Sequence, residues 1–218
     1  LLPALASAQA PVRYTMDPGS IPPAASDRDP GTIVTKALDG QPLCGSGPAY
    51  MTNWDGVVAW NDRKSFTGAA IPVQTNGRYF LRLPFRLDAD VDRVDGGKML
   101  RVGYPGGLFA ELFGNTSTFK MQAGESVYWG GAPVTRGCHR LEVAVTPTGM
   151  RAWLDNALLR EWSGVTSSNV INIMSNWSSN PGWEHDANNH AYWDDVEVYS
   201  DARGHDAAAM WAGTIGEG

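Results

Sequence analysis

The sequence predicts an all-β fold, a two-sheet antiparallel jelly-roll sandwich with an irregular N-terminal region and a short C-terminal tail. Glycine (25) and proline (14) are plentiful among the 218 residues, and clear helical runs are few. From Gly77 onward, short segments of alternating apolar and polar residues are separated by turn signals, which indicates roughly nine to twelve strands. The length suits one large all-β domain or two small domains.

Three segments divide the chain. Residues 1–10, LLPALASAQA, resemble the end of a secretory signal, with Ala6-Ser7-Ala8 as an A-x-A cleavage site. The alternative is a retained apolar N-terminal arm. Residues 11–201 are predicted to form a single jelly-roll domain, and residues 202–218 a small-residue-rich tail.

The first part of the domain, residues 11–53, reads as irregular because prolines and glycines interrupt it. Thr32 to Leu38 is the strand candidate there, and Trp54 to Trp60 is a second short one. After Gly77 the alternation predicts strands over 78–88, 98–105, 108–115, 117–124, 126–131, 139–146, 150–162, 169–177 and 192–200. The pair Asp155-Asn156 predicts a hairpin turn within 150–162.

Charge and cysteine content narrow the function classes. The net charge of −6 argues against a nucleic-acid partner, which requires a basic stripe. Apart from the apolar residues 1–10, no segment approaches the roughly 20 apolar residues that a membrane-spanning helix needs. In an exported protein, Cys44 and Cys138 are predicted to form a disulfide, whereas in a cytosolic protein they would stay reduced. Because residues 1–10 resemble a secretory signal, we expect a secreted or cell-surface protein with this disulfide.

Four segments carry a family resemblance: GRYFLRLPFRLD, GGKMLRV, CHRLEVAVTPTGMRAWLDNALLREW and HAYWDDVEVYSD. Over about residues 75–201 the chain resembles the concanavalin A-like group of secreted lectins, glycoside hydrolases, polysaccharide lyases and glycan-binding modules. The E-x-D-x-E signature of family-16 glycosidases is absent, as are the alginate-lyase motifs R-T-E-(L/V)-R, Q-I-H and Y-x-K-x-G-x-Y. The resemblance implies the fold but carries over no catalytic set.

A polar groove is expected on the outer face of one sheet. Seven strand residues are candidates to line it: Arg82, Arg86, Arg101, Glu111, Glu142, Trp153 and Asn172. Arginines suit an anionic ligand such as a uronic-acid polymer, because guanidinium groups bind carboxylates in a bidentate way. The alternative is that these arginines pair with Glu111 and Glu142 across the strands.

Catalysis by β-elimination would need a base and an acid beside the neutralised carboxylate. Tyr104, His139 and His190 are the candidates near predicted strand ends, although a lone histidine is more often structural. Glu111 with Glu142 is the carboxylate pair for hydrolysis, the weaker alternative. The polar, aromatic segment 175–195 offers Trp177 and Trp183 for stacking on sugar rings, or forms a self-packed surface loop.

Asp194 lies in the segment YWDDVEVYSD, where alternation places it on one face with Val196 and Val198. A buried carboxylate needs a metal, an arginine or backbone N–H groups as its partner. The family resemblance implies a structural calcium ion at Asp194, with Asp17, Asp27 or Asp29 as further ligands, and no organic cofactor.

The leading interpretation is an exported protein that binds or cleaves an extracellular, acidic polysaccharide, by a lyase-type reaction if it is catalytic. A non-catalytic carbohydrate-binding module is one alternative. A structural surface or filament subunit that self-assembles through its N-terminal arm is another.

Overall fold

The chain is all-β in the computed structural model, which describes residues 12–14, 16, 32–45, 47–53, 63–67, 79–87, 97–102, 108–113, 118–123, 126–133, 135–146, 149–163, 170–174 and 190–199. Fifteen strands lie in these ranges: β1 Val12–Tyr14, β2 Thr32–Val34, β3 Ala49–Asn53, β4 Arg63–Thr67, β5 Tyr79–Leu87, β6 Gly97–Val102, β7 Leu108–Phe113, β8 Thr118–Ala123, β9 Ser126–Pro133, β10 Gly137–Thr146, β11 Gly149–Leu154, β12 Ala157–Ser163, β13 Val170–Met174, β14 His190–Trp193 and β15 Val196–Tyr199. None of the described ranges holds a helix long and apolar enough to cross a bilayer.

Two antiparallel sheets confirm the predicted fold class. The first sheet has nine strands, in the order β12-β11-β10-β5-β14-β3-β2, with β15 paired to β5 and β1 paired to β15. The second has six strands, in the order β4-β13-β6-β7-β8-β9. Strand β12 of the first sheet lies against β9 of the second.

One face of the first sheet forms the described core, as the alternation predicts. Its residues are fully or almost fully buried: Leu81, Leu83, Phe85, Leu87, Leu141, Val143, Trp193, Val196 and Val198. Trp193 stacks on Phe85 with ring centroids 5.2 Å apart. The opposite face holds Arg82, Arg86 and Glu142, because successive residues of a strand point to opposite sides.

The hairpin between β11 and β12 turns where the sequence predicts. Leu154 pairs with Ala157, so Asp155 and Asn156 are the two loop residues. Both have positive φ, 49° and 70°. A two-residue turn of this twist matches the twist of the flanking strands, and Asp and Asn tolerate it better than most residues.

The last predicted strand, residues 192–200, is in fact two strands joined by a β-bulge. Trp193 pairs with Phe85 and Glu197 pairs with Arg82, so two residues, Asp194 and Asp195, lie opposite Pro84 alone. The N–H of Asp194 donates to the carbonyl of Pro84 at 3.4 Å, and Asp195 has φ 47°. Proline has no N–H for the ladder, so a bulge opposite it interrupts the sheet at little cost.

This bulge corrects the predicted faces at the end of the chain. Simple alternation places Asp194 with Val196 and Val198, and Trp193 on the other face. The extra residue resets the alternation, so that Trp193, Val196 and Val198 all belong to the buried apolar set. A period-two pattern cannot reveal an inserted residue.

The N-terminal region contains two strands that were not predicted, whereas one predicted strand is shorter in the structure. β1 and β3 lie in segments predicted to be irregular. The strand predicted over Thr32 to Leu38 stops at Val34, because the chain turns back: the N–H of Gly40 donates to the carbonyl of Ala37 at 2.9 Å. The strand predicted over 54–60 lies outside the described residues.

Candidate functional site

The predicted groove residues fall on two sheets rather than on one face. Arg82 and Arg86 lie in β5, Glu142 in β10 and Trp153 in β11, all in the first sheet. The other three candidates lie in the second sheet: Arg101 in β6, Glu111 in β7 and Asn172 in β13. A single groove therefore cannot use all seven as a continuous polar face, which corrects that prediction. Local alternation assigns faces but not sheets.

Arg82 forms the cross-strand ion pairs that were the alternative to ligand binding. It lies directly opposite Glu142 in the β5–β10 register. Its Nε is 3.3 Å from Glu142 Oε1, and its Nη1 is 3.2 Å from Glu197 Oε2. The Glu142 side chain is 0% exposed and that of Arg82 is 17% exposed. These carboxylates occupy the guanidinium, so Arg82 holds β5, β10 and β15 together.

Arg86 is also used inside the fold. Its Nη2 donates to Asp39 Oδ2 at 2.5 Å, and Arg136 donates to the same oxygen at 2.7 Å. Its guanidinium lies 5.8 Å from the centre of the Tyr192 ring. Only 4% of the Arg86 side chain is exposed. Asp39 belongs to the segment from Thr35 to Gly45, which we call the covering segment because it contacts Arg86 and Tyr192.

Asp39 anchors this covering segment. Burial raises the pKa of its carboxyl, but hydrogen bonds from Arg86, the Gln41 N–H and Arg136 outweigh burial and lower that pKa from 3.8 to about 2. Farther along, the N–H of Leu38 donates to the Tyr192 hydroxyl at 2.9 Å. Ala37, Ala49 and Tyr192 form the apolar cluster beneath.

We expect Asp39→Asn to lower stability at pH 7 by about 1 kcal/mol, because charge-assisted hydrogen bonds are the stronger ones. The folded pKa lies below the unfolded value, so the contribution is present above about pH 4 and is lost as pH falls toward 2. Urea unfolding of wild type and variant at several pH values measures this. The difference between them should shrink over that window; a difference that stays constant down to pH 2 would contradict the assignment.

Trp153 is buried on the face that also holds Arg82 and Glu142, which corrects its assignment as a groove-lining residue. It pairs with Glu142 across β10 and β11 and is 1% exposed. A ring with so little exposed area offers no face to a sugar. The sequence put it on the polar side of its strand, but could not show that this side is covered.

His139 fastens the start of β10 to the β11–β12 turn. Its Nδ1 is 2.8 Å from Asp155 Oδ2, and its Nε2 is 2.7 Å from the carbonyl of Thr135. Both partners are acceptors, so the ring donates to both when it is doubly protonated. Asp155 also accepts from the N–H of Arg140 at 2.8 Å. These contacts favour the structural alternative for His139.

The other catalytic candidates are not brought together by the described strands. His190 begins β14 of the first sheet, whereas Glu111 lies in the second sheet. Tyr104, Trp177 and Trp183 lie outside the described residues, and their roles stay predictions.

The predicted disulfide is present. Cys44 and Cys138 are bonded, with Cα atoms 5.5 Å apart and a sequence separation of 94. The bond ties the covering segment to the start of β10. The next residue, Gly45, lies against Asp194: a Cβ placed there would be 2.0 Å from Asp194 Oδ2. Only glycine fits at this contact.

The two aspartates of the bulge accept hydrogen bonds from a backbone N–H and from an arginine. Asp194 is 1% exposed, and its Oδ1 accepts the N–H of Asp195 at 2.7 Å. Asp195 Oδ2 is 2.5 Å from an Arg13 nitrogen, and this contact raises the pKa of Arg13. In the described part of the chain no three His, Cys, Asp or Glu residues group to hold a metal. Two carboxylates fall short of a calcium shell, and the further ligand candidates lie outside the described residues. The calcium ion stays a prediction.

The second sheet carries a concentration of basic residues that sequence reasoning found only in part. Its six strands contain five basic residues, Arg63, Lys64, Lys98, Arg101 and Lys120, and one acidic residue, Glu111. The whole chain has a net charge of −6. The strands of this sheet therefore carry a local excess of positive charge.

The strand register places most of these residues on one face. Direct cross-strand partners share a face. Two rows define this face; one runs Ser65–Asn172–Arg101–Phe109–Gln122–Val127, and the other contains Lys98–Glu111–Lys120–Trp129. Arg63 belongs to the same face, two residues before Ser65. We call it the basic face. The opposite face is apolar at positions such as Phe66, Ile171, Ile173, Leu100, Val102, Leu108, Ala110 and Met121.

No protein-family model and no curated protein sequence matches this chain. Solved structures do match. The botulinum neurotoxin serotype C1 binding domain is 11% identical with a TM-score of 0.56, over 85% of this chain and 46% of that chain. A structure reported with the dependence of botulinum neurotoxin type C cell entry on two ganglioside molecules is 9% identical, with a TM-score of 0.56 over 85% and 46%.

A third match is the botulinum neurotoxin DC binding domain in complex with SialylT. It is 10% identical, with a TM-score of 0.53 over 81% of this chain and 42% of that chain. The chain thus spans less than half the length of these neighbours. At such identities the likeness shows a shared β-rich fold.

Proposed function

We propose that this protein is exported and binds an acidic polysaccharide on the basic face of its second sheet. The observation that carries the proposal is the placement of Arg63, Lys98, Arg101 and Lys120 on one face, beside Glu111 as the single acidic residue of the six strands. In a protein of net charge −6, such a face is suited to carboxylate or sulfate groups.

Three further observations support the proposal. The Cys44–Cys138 bond suits an oxidising compartment. Structures of similar fold are described with gangliosides and with SialylT. Arg82 and Arg86 of the first sheet are occupied by internal carboxylates, whereas Arg101 lies in the second sheet.

Charge reversal on the basic face tests the binding proposal. We expect Arg101→Glu to weaken binding to an acidic polysaccharide by at least about tenfold, since a cation is replaced by a negative charge that repels the anionic ligand. Lys36→Glu is the matched control, because Lys36 is an exposed residue of the first-sheet covering segment. A glycan array followed by titration of the best acidic ligand measures both. Equal loss in the two variants would point to net charge alone and contradict the site.

A lyase reaction is a second candidate, favoured by one observation. Arg101 and Asn172 are direct cross-strand partners, and this pair of residue types can neutralise a uronate carboxylate. Tyr104, two residues beyond β6, is the proposed acid or base. Incubation with uronate polymers, followed at the ultraviolet absorbance of an unsaturated product, tests turnover. Binding without product on any polymer would leave a carbohydrate-binding module.

A structural subunit remains the third candidate from the sequence. Its N-terminal arm lies outside the described residues. Neither binding nor products on the array would favour it, and deletion of residues 1–12 would then be expected to change the assembly state.

A further inference from the structure

One row of the basic face carries its cations on alternate strands. Arg63 is in β4, Lys98 in β6 and Lys120 in β8, whereas the sheet order is β4-β13-β6-β7-β8-β9. Glu111 of β7 lies directly between Lys98 and Lys120. Trp129 of β9 follows Lys120.

The same row reaches β4 through β13. Met174 pairs with Arg63 and comes one residue after Ile173, where the β13–β6 register ends. Met99 is the extra residue of a bulge that sets Lys98 opposite Glu111. Across the sheet the positions therefore read cation, Met174, cation, Glu111, cation, Trp129.

This alternation fixes the spacing of the backbone positions that carry the basic residues. Neighbouring strands are about 4.8 Å apart, so cations on every second strand recur at about 10 Å. That is near the length of an extended disaccharide, whereas one strand spacing is near that of a single sugar. Anions that repeat at every sugar would meet a cation at only half of the positions.

We propose that the basic face recognises a linear polysaccharide that lies across the strands and carries one anionic group per disaccharide. The inference rests on the proposed function and names its ligand class. Anionic sugars occupy β4, β6 and β8, and the sugars between them are uncharged. Glu111 repels a carboxylate on an intervening sugar, while Met174 and Trp129 supply apolar and aromatic surface of the kind that contacts sugar rings.

Nucleic acid fits this row less well. Phosphates recur at about 3.4 Å along each strand of a duplex, much closer than the cation repeat. Single-stranded DNA, which also carries one phosphate per nucleotide, serves as the competitor with dense charge in the experiment.

The experiment compares two polymers of matched chain length on the full chain. Hyaluronan carries one carboxylate per disaccharide, and polygalacturonate carries one per sugar. We expect hyaluronan to bind at least about tenfold more tightly at equal ionic strength, because like charges in contact are costly. Single-stranded DNA should compete poorly. Titration calorimetry provides the affinities, with dextran as the uncharged control.

Glu111→Gln tests most directly whether the carboxylate between the cations selects the ligand. It should raise affinity for polygalacturonate by about fivefold or more relative to hyaluronan, because it removes the repelling charge. Glu161→Gln removes one negative charge from β12 of the first sheet and should leave the ratio of the two affinities unchanged.

The outcomes separate the two proposals. Equal binding of both polymers, weakened by Arg101→Glu, would overturn the alternating-charge inference and leave the acidic-polysaccharide function standing. Tighter binding of DNA than of either polymer, or no binding of any acidic polymer, would overturn both.

Discussion

Replacing both Cys44 and Cys138 with serine should lower the free energy of unfolding by about 2–5 kcal/mol. The bond closes a loop with a sequence separation of 94 residues. In the chain-entropy model a loop of this size contributes about 4–5 kcal/mol by restricting the unfolded chain. The bond also holds the segment that covers Arg86 and Tyr192, so its loss frees that segment as well. Urea unfolding followed by tryptophan fluorescence measures the change.

The denatured state offers an independent readout of the same variant. Without the cross-link the unfolded chain expands and exposes more surface, so the slope of free energy against urea should increase. Reduction of the wild-type bond by a thiol should reproduce both effects. An unchanged slope and midpoint would mean that the bond neither constrains the unfolded chain nor holds the covering segment.

The parts of the fold that sequence reasoning predicted are those with a local cause. Alternation in β5 and β10 gives the buried set Leu81, Leu83, Leu141 and Val143 directly. The β11–β12 turn follows from Asp155-Asn156, because few other residue pairs adopt positive φ at both positions.

The parts that it missed depend on distant partners. The bulge at Asp194 and Asp195 lies opposite Pro84, which is more than a hundred residues earlier in the chain. The division of the arginines between two sheets depends on strand pairing, which no local pattern encodes. Arg63 was missed altogether, because RKSFT contains a single apolar residue and shows no alternation of apolar and polar residues.

The same distinction between local and distant causes explains why the candidate site differs from the groove predicted from the sequence. Three arginines looked equivalent in the sequence. Arg82 and Arg86 turned out to face Glu142, Glu197 and Asp39, which lie far from them in the chain. Arg101 instead lies in the second sheet, whose strands carry five basic residues and one acidic residue.

Truncating Arg82 should be among the most destabilising single changes in the described residues. Arg82→Met removes a guanidinium from Glu142, whose side chain is 0% exposed. A buried carboxylate that loses its partner costs about 3–5 kcal/mol. Arg140 cannot replace it well, because its Nε is 3.9 Å from the same oxygen. Urea unfolding at pH 7 measures the loss.

A second variant separates the buried charge from lost packing. Arg82→Met with Glu142→Leu removes both charges, and we expect it to recover most of the stability, since apolar replacements of buried ion pairs are often neutral. Arg151→Met is the matched control. Its partner Glu161 is 44% exposed, so the released carboxylate stays in water and the cost should be about 1 kcal/mol or less. If the double variant were as unstable as Arg82→Met, the loss would come from packing of the arginine stem. If Arg151→Met cost as much as Arg82→Met, burial of the partner would not determine the strength of these pairs.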